Sequence, residues 1–231
     1  MDKYINSQVK YWHQQKEKID TPEKKGRTFV TISREYGCGG FEVARKICEI
    51  MNKEHATEPQ WAAYDRQLLD KLMEDLGLSS SLADTLTTSA RSAMTNLIQT
   101  SFSEFPSQVA VYRKLAETVR TLCFNGNVVV VGRAGNVITR DMKNGYHVRM
   151  VAPMDWKITN IAEKVELSRR EAEKLINDKT EEREGFIRNY VRFDPSDPHN
   201  YHLLINNGLH SAEEAARIVI EGLKRKGLIV S

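Results

Sequence analysis

Apolar and polar positions along this chain switch between two periods. Phe29, Val30, Thr31 and Ile32 form a short β-rich run that ends at the cluster Gly37-Cys38-Gly39-Gly40. Beyond it Val43, Ala44, Ile47, Cys48 and Met51 recur every three to four residues, the spacing of a helix with one buried face. Tyr64-Asp65-Arg66 leads into LLDKLMEDLGL, which reads as a helix ended by Gly77. Residues 79–107, rich in Ser and Thr, read as helical with a mobile end at Phe105-Pro106. QVAVYRKLAETVRTLCFNGN predicts a helix stopping at Asn125-Gly126. NVVVVGRAGN is an unbroken β-branched run, the signature of a buried parallel strand. HVRMVAP and YHLLINNG predict two more strands, and residues 155–192 a strongly charged helical region. SAEEAARIVIEGLKRKG predicts a closing amphipathic helix, with Ser211 as N-cap and Glu214 at the capping-box position.

Strands that alternate with helices predict an α/β protein with a parallel sheet. Ligands of such sheets bind at the carboxyl ends of the strands. Here those ends are Ser33-Arg34, Gly132-Arg133, Ala152-Pro153 and Asn206-Asn207. Two of the four carry an arginine, which predicts a cationic cleft suited to phosphates. Residues 1–26 stand apart as a polar arm, with Ile5, Val9 and Trp12 at helical spacing. The arm packs on the domain or on a second subunit as a homodimer contact, or stays a solvated tail. Residues 27–231 form the main domain.

The strand–glycine–helix stretch at 29–44 has the layout of a phosphate-binding loop. The usual pattern is G-x-x-x-x-G-K-[ST]. In this chain Arg34 stands at the first Gly, Gly39 at the second, Gly40 at the Lys and Phe41 at the Ser/Thr. Glycines let the backbone approach a ligand, and backbone N–H groups at a helix N-terminus hold an anion. Arg34 is then the candidate for the missing cation, since a guanidinium stays protonated and grips two oxygens at once. The alternatives are a glycine-rich turn with no ligand, and an Arg34 engaged in a salt bridge or at the surface.

Composition narrows the class. Lys and Arg total 34 against 31 Asp and Glu, a formal net charge of +3. Basic residues are interspersed with acidic ones, so no nucleic-acid footprint emerges. No apolar run approaches the ~20 residues of a membrane span, and the N-terminus lacks a signal-peptide pattern. Three cysteines, Cys38, Cys48 and Cys123, lack C-x-x-C spacing and point to reduced thiols in a cytoplasmic protein.

The order of TISREYGCGGFEVARKI, AAYDRQLL, VVVVGRAGNVI, HVRMVAPMDWKITNI, KTEEREGFIRNYV and YHLLINNGLHSAEEAARIVI resembles the cytidylate kinase-like family, over roughly residues 28–225. The resemblance implies a three-layer P-loop nucleotide kinase fold with a doubly wound parallel sheet and a helical lid, near 155–192. It implies transfer of the γ-phosphoryl of ATP, with Mg²⁺, to CMP or a similar nucleotide. Carried onto this chain, Ser33, Arg34, Gly37, Cys38, Gly39, Gly40, Phe41 and Glu42 hold the donor phosphates. Asp65 and Arg133 lie near the acceptor nucleotide, Asn206 lies where the last strand approaches the nucleotide base as a further substrate-binding residue, and the lid supplies Arg183 and Arg188. The chain departs from cytidylate kinases proper at Gly40 and Glu42, which replace a Lys and a Thr, and at Ala134, which replaces an acidic residue. The lysine-free glycine loop after Ser-Arg matches the kinase-like branch. A chain that kept nucleotide binding but lost transfer is the alternative.

For several of these residues the local sequence offers a second role. Asp65 also suits an N-cap, and Arg133 a carboxylate partner at the sheet edge. On one continuous helix over 175–191, Arg183 and Lys179 share the face of Leu175, Ile176, Phe186, Ile187 and Tyr190, while Arg188 and Arg192 project opposite. A cation among apolar neighbours needs a partner or a ligand, which favours Arg183 over Arg188 for catalysis, unless Asp178 or Glu182 pairs with it. His147 and His202 read as core histidines and Trp156 as packing. No cluster has metal-ligand spacing, so Mg²⁺ would arrive with the nucleotide and keep waters.

Overall fold

The computed structural model describes residues 3–15, 27–55, 57–83, 86, 109–187 and 193–230. Its five strands are β1 (Phe29–Arg34), β2 (Ala62–Tyr64), β3 (Val128–Val131), β4 (Gly145–Val151) and β5 (Leu203–Asn206). They form one all-parallel sheet in the order β2-β3-β1-β4-β5, which leaves β1 central. The register sets Thr31 and Ser33 beside His147 and Arg149 of β4. Successive side chains of a strand point to opposite faces, so Val30 and Ile32 look the other way.

Both faces are covered by helices, which is why Val128–Val131 is buried at every position. On one face lie α2 (Gly40–Glu54) and, counting in chain order, α9 (Ala212–Arg225). They bring Val43, Ile47 and Met51, and Ala216, Val219 and Leu223, onto Val30, Ile32, Val129, Val148 and Met150. The other face carries α1 (Lys3–Gln15), α3 (Arg66–Glu74), α4 (Leu76–Ala83) and α5 (Val109–Asn125). There Trp12, Leu69, Leu115, Val119 and Leu122 close over Phe29, Val128 and Val130. The expected three-layer α/β architecture is therefore present. Ser211 caps α9 with Glu214 in a full capping box, as the sequence predicts.

Some local expectations change. Gly77 does not end a helix: α3 stops at Glu74 with Asp75 as its C-cap, and Gly77 lies inside α4. Glycine's helix-breaking tendency is worth only about 1 kcal/mol and yields to tertiary packing. Ala62–Tyr64, which the sequence shows only as an apolar approach to Asp65, forms the edge strand β2. The arm helix α1 lies on its own domain, with Trp12 fully buried. Its inward face runs through Ile5, Gln8, Tyr11 and Trp12, with Val9 half-buried beside it. Gln8 replaces the expected apolar contact by donating its amide to Gln60 O at 2.8 Å and Asn127 O at 3.1 Å. His147 is a core histidine, but His202 is exposed: its ring stacks on Tyr146 and its Nδ1 accepts from His147 N at 2.9 Å. Residues 87–108 and 188–192 lie outside the described residues, and with them most of the predicted Ser/Thr-rich helix, Arg188, Tyr190 and Arg192.

After β3 comes the short helix α6 (Gly135–Ile138), and after β4 the pair α7 (Met154–Val165) and α8 (Arg169–Phe186). Glu166 in left-handed conformation turns the chain between the pair, and Ser168 caps α8 through a capping box with Glu171. Ile158, Ile161, Ala172 and Ile176 make a small separate core that also holds Tyr36. The α7–α8 pair thus sits against the turn that leaves β1.

Candidate functional site at the strand ends

The turn after β1 follows from its glycines. Gly37 and Gly39 hold φ of 84° and 75°, a region open to glycine and strained for other residues. Gly39 is the left-handed N-cap of α2 and provides no side-chain cap, so the first amides of α2 have no partner from that residue. Helix α7 presses on the turn from outside. A side chain at Gly37 would meet Ile161 Cγ1 at 3.1 Å and Lys157 Cβ at 3.3 Å. Two carbonyls of the turn are already bonded, Gly37 O to Asn160 Nδ2 at 2.7 Å and Cys38 O to Asn207 Nδ2 at 2.8 Å. Cys38 is fully buried, its thiol set toward Met150 O at 3.6 Å, and burial pushes that thiol up to about 11. Phe41 packs on the core of its face, and Glu42 pairs with Lys164 in solvent.

Beside the turn opens a cavity of about 470 Å³ at the carboxyl ends of β1, β3 and β4, roofed by α8. Arg34, Arg133, Arg149 and Arg183 all line it. Arg149 is 5% exposed and rises from mid-β4. Its Nη1 donates to Ser33 Oγ at 3.0 Å, and its Nη2 lies 3.9 Å from Glu184 Oε1 on α8. Arg183 lies over the Tyr36 ring at 4.7 Å, a cation–π contact. Burial pulls its guanidinium below the ordinary range. Arg34 has no ion pair among the described residues. Burial first, then the charges of Arg183 and Arg149, bring it down to about 10, so it remains a cation at neutral pH. Arg133 is engaged, since its guanidinium grips both oxygens of Asp70. Asp70 also receives Arg66 at 3.7 Å. Gly132, Arg133 and Ala134 are three successive residues at positive φ (81°, 54° and 52°), a sharp turn that starts α6. For the two non-glycine residues that conformation costs roughly 1–2 kcal/mol each.

The structure gathers some predicted residues and leaves others aside. Ser33, Arg34, Arg133 and Arg183 share the cavity. Gly37, Cys38, Gly39, Gly40, Phe41 and Glu42 form the adjoining turn and do not line it. Asp65 caps α3, its Oδ1 accepting from Leu68 N at 3.0 Å. Asn206 closes the turn after β5 by accepting from Gly208 N at 3.1 Å. Arg183 carries neither of the proposed internal ion pairs: Glu182 instead takes Lys179 at 2.6 Å and Arg66 at 4.0 Å. Arg149 was missed. Its signal was a charged residue in the middle of HVRMV, an otherwise buried strand, where a cation must find a partner or a ligand. Asn136 and Arg66 in the lining gave no comparable signal. Among the described residues no group of His, Cys, Asp and Glu could hold a metal ion, and no helix is long and apolar enough to cross a membrane.

Fold and site together define a three-layer α/β protein with a glycine turn after its central strand and a cationic cavity at the strand ends. The model of the cytidylate kinase-like family matches residues 29–209, and the chain belongs to that family. Among solved structures, the chain is similar to a crystal structure of an uncharacterized protein from Eubacterium ventriosum ATCC 27560. The two are 20% identical, with a TM-score of 0.65, over 86% of this chain and 99% of that one, which shows a shared fold. No curated protein matches.

Proposed function

We propose that this protein is a nucleotide kinase that transfers the γ-phosphoryl of ATP to a nucleoside monophosphate, CMP or a similar small acceptor. One observation carries the reading. Arg34, Arg149 and Arg183 converge on one cavity, and among the described residues their only ion-pair contact is Glu184, 3.9 Å from Arg149. Like charges gathered in a partly desolvated cavity repel unless an anion joins them. Phosphoryl transfer asks for that setting, since it needs positioning and positive charge around the moving group. An oxygen of the acceptor phosphate attacks the γ-phosphorus, the bond to the β–γ bridging oxygen breaks, and ADP leaves with that electron pair.

In this reading the turn after β1 and the first amides of α2 hold the donor phosphates. Arg34 stands between donor and acceptor, Arg149 and Ser33 face the acceptor phosphate, and α8 acts as the lid that brings Arg183 in. The residues supply no cage for Mg²⁺: Phe41 has no hydroxyl where the usual loop has Ser or Thr, and no acidic cluster is present among the described residues. The ion fits only as a companion of the nucleotide, ligated by phosphate oxygens and water.

One observation favours a second reading, a protein that binds nucleotides without transferring phosphate. Gly40 offers no lysine, and the turn's carbonyls are tied to Asn160 and Asn207 under α7. ADP release from ATP·Mg²⁺ separates the two, measured with CMP, dCMP, UMP, AMP, GMP and no acceptor. Acceptor-dependent ADP formation is expected. ATP binding without turnover under every acceptor would sink the kinase reading in favour of the second.

A further inference from the structure

Position 40 is where the usual phosphate loop places its lysine. In this chain it is a glycine, and the space above it is filled. A Cβ at Gly40 would lie 3.2 Å from Arg34 Cγ and 3.3 Å from Arg34 Cβ. The aliphatic stem of Arg34 therefore runs across the first turn of α2, over the site a lysine would leave from. The guanidinium then crosses to β3. A Cβ at Gly132 would lie 2.7 Å from Arg34 Cζ and 3.0 Å from its Nη2, inside contact distance. Gly132 also holds a φ of 81°, and its N–H bonds to Ile32 O at 2.9 Å, which pins the end of β3 against β1. Among the described residues neither flank of this groove puts a carboxylate in ion-pair contact with Arg34: the groove holds it by shape, with Asp65 attracting it only from a distance and its charge left for a ligand.

We infer that Gly40 and Gly132 are the seat of Arg34, and that lysine at 40 and arginine at 34 are mutually exclusive ways of putting one cation on the phosphoryl groups of a bound nucleotide. The inference rests on the kinase reading for the identity of the ligand. The seat itself is geometric. The two glycines are positioning residues, acting through Arg34. A lysine added at 40 would evict the arginine before it could serve in its place. With Arg34 removed, the same lysine would have room. The sign of the Gly40→Lys effect must then depend on residue 34.

The test is a double-mutant cycle of wild type, Arg34→Ala, Gly40→Lys and the double variant, read as kcat and KM for ATP and as ADP affinity by calorimetry. Arg34→Ala should lower kcat by about 10³-fold, the scale of a catalytic arginine in phosphoryl transfer. Gly40→Lys alone should lose about tenfold or more. In the Arg34→Ala background it should instead recover at least about tenfold. Gly132→Ala, with Arg34 displaced from the other end, should reproduce the loss in kcat. Gly40→Lys as active as wild type, or a folded double variant no better than Arg34→Ala, would overturn the inference. Should the double variant not fold, Gly40→Ala replaces Gly40→Lys in the cycle. It should weaken ADP binding in wild type and do so less in Arg34→Ala, and strict additivity would overturn the inference equally. Wild type that makes no ADP with any acceptor sinks the kinase reading alone, because the cycle is then decided by ADP affinity.

Discussion

Two arginines of this protein, Arg120 buried and Arg34 half-buried, are held in opposite ways. Arg120 of α5 is 7% exposed, and both of its terminal nitrogens are hydrogen-bonded while its Nε is not. It donates to Ile138 O at 2.7 Å and to the two oxygens of Asp141 at 2.7 and 2.9 Å. The hydrogen bonds from Arg120 hold the Asp141 carboxyl below the usual range. Arg34 sits between two glycines, faces Arg183 and Arg149, and has no carboxylate in ion-pair contact among the described residues. Partial or full removal of a cation from water is common to both and says little. The missing counter-ion distinguishes a structural clamp from a charge kept for a ligand. Lys157, buried on α7 and paired with Glu35 at 2.8 Å, falls with Arg120.

The sharpest way to break this comparison is to truncate each arginine and measure both stability and turnover. Arg34→Ala should abolish nearly all phosphoryl transfer while the melting temperature holds or rises, since like-charge repulsion is relieved. A melting temperature that drops with the activity would place Arg34 in the structural class and remove the distinction. Arg120→Ala should do the reverse. Leaving Asp141 unpaired should destabilise the fold by about 3 kcal/mol, the low end for a broken buried pair because Asp141 is 41% exposed. Its KM for nucleotide should stay within about twofold of wild type, and a larger rise would mean that α6 transmits the clamp into the cavity.

The sequence showed the scaffold more clearly than the site. Val128–Val131, the periodic apolar face of α2 and the Ser211 cap are local patterns, and each produced the element it implied. Arg34 was legible because it interrupts a known loop pattern. That Gly40 accommodates its stem was not, because Gly132, the other half of the groove, lies about a hundred residues away and meets Arg34 only through the β1–β3 pairing. Asp65 illustrates the converse. Its spacing to the following helix predicted a cap as readily as a ligand contact, and the bond to Leu68 N shows the cap. Arg149 needed the register: only the pairing of Ser33 with Arg149 brings that guanidinium to the cavity.

The same strand that carries Arg149 gives a titratable contrast two residues earlier. His147 is buried, with Nδ1 2.8 Å from Thr31 Oγ1, and its imidazole is pushed down to about 4, mostly by burial and then by His202 and Lys226. The unfolded chain takes up the proton near the ordinary value of about 6.5. Stability from this group is therefore complete above that pH and is lost as pH falls toward 4. The loss should reach about 2 kcal/mol by pH 4.5. Chemical denaturation of wild type and His147→Asn at pH 7 and 4.5 measures it. The difference between the two pH values should shrink by that amount in the variant. An unchanged difference would mean that His147 is not held neutral. Arg34, half-buried and without an ion pair among the described residues, should show no such step anywhere below pH 9.

The smallest expected effect tests whether the contact between Arg149 and Glu184 guards the site or builds it. Glu184 reaches Arg149 from α8 at 3.9 Å, with its side chain 27% exposed. That distance allows attraction without the short bonds of a locked pair, so an incoming phosphate could take the guanidinium from it. If so, Glu184→Gln removes a competitor and should tighten ADP or inorganic phosphate binding about threefold, or on the order of 0.6 kcal/mol, within the range for a partly exposed pair. The gain should shrink as salt rises from low to physiological concentration, because screening weakens the contact it replaces. Weaker binding in the variant would point the other way. Glu184 would then be orienting Arg149 toward Ser33, and Arg149 would join Arg133 among the arginines held by a carboxylate, leaving Arg34 and Arg183 to shape and ring contact.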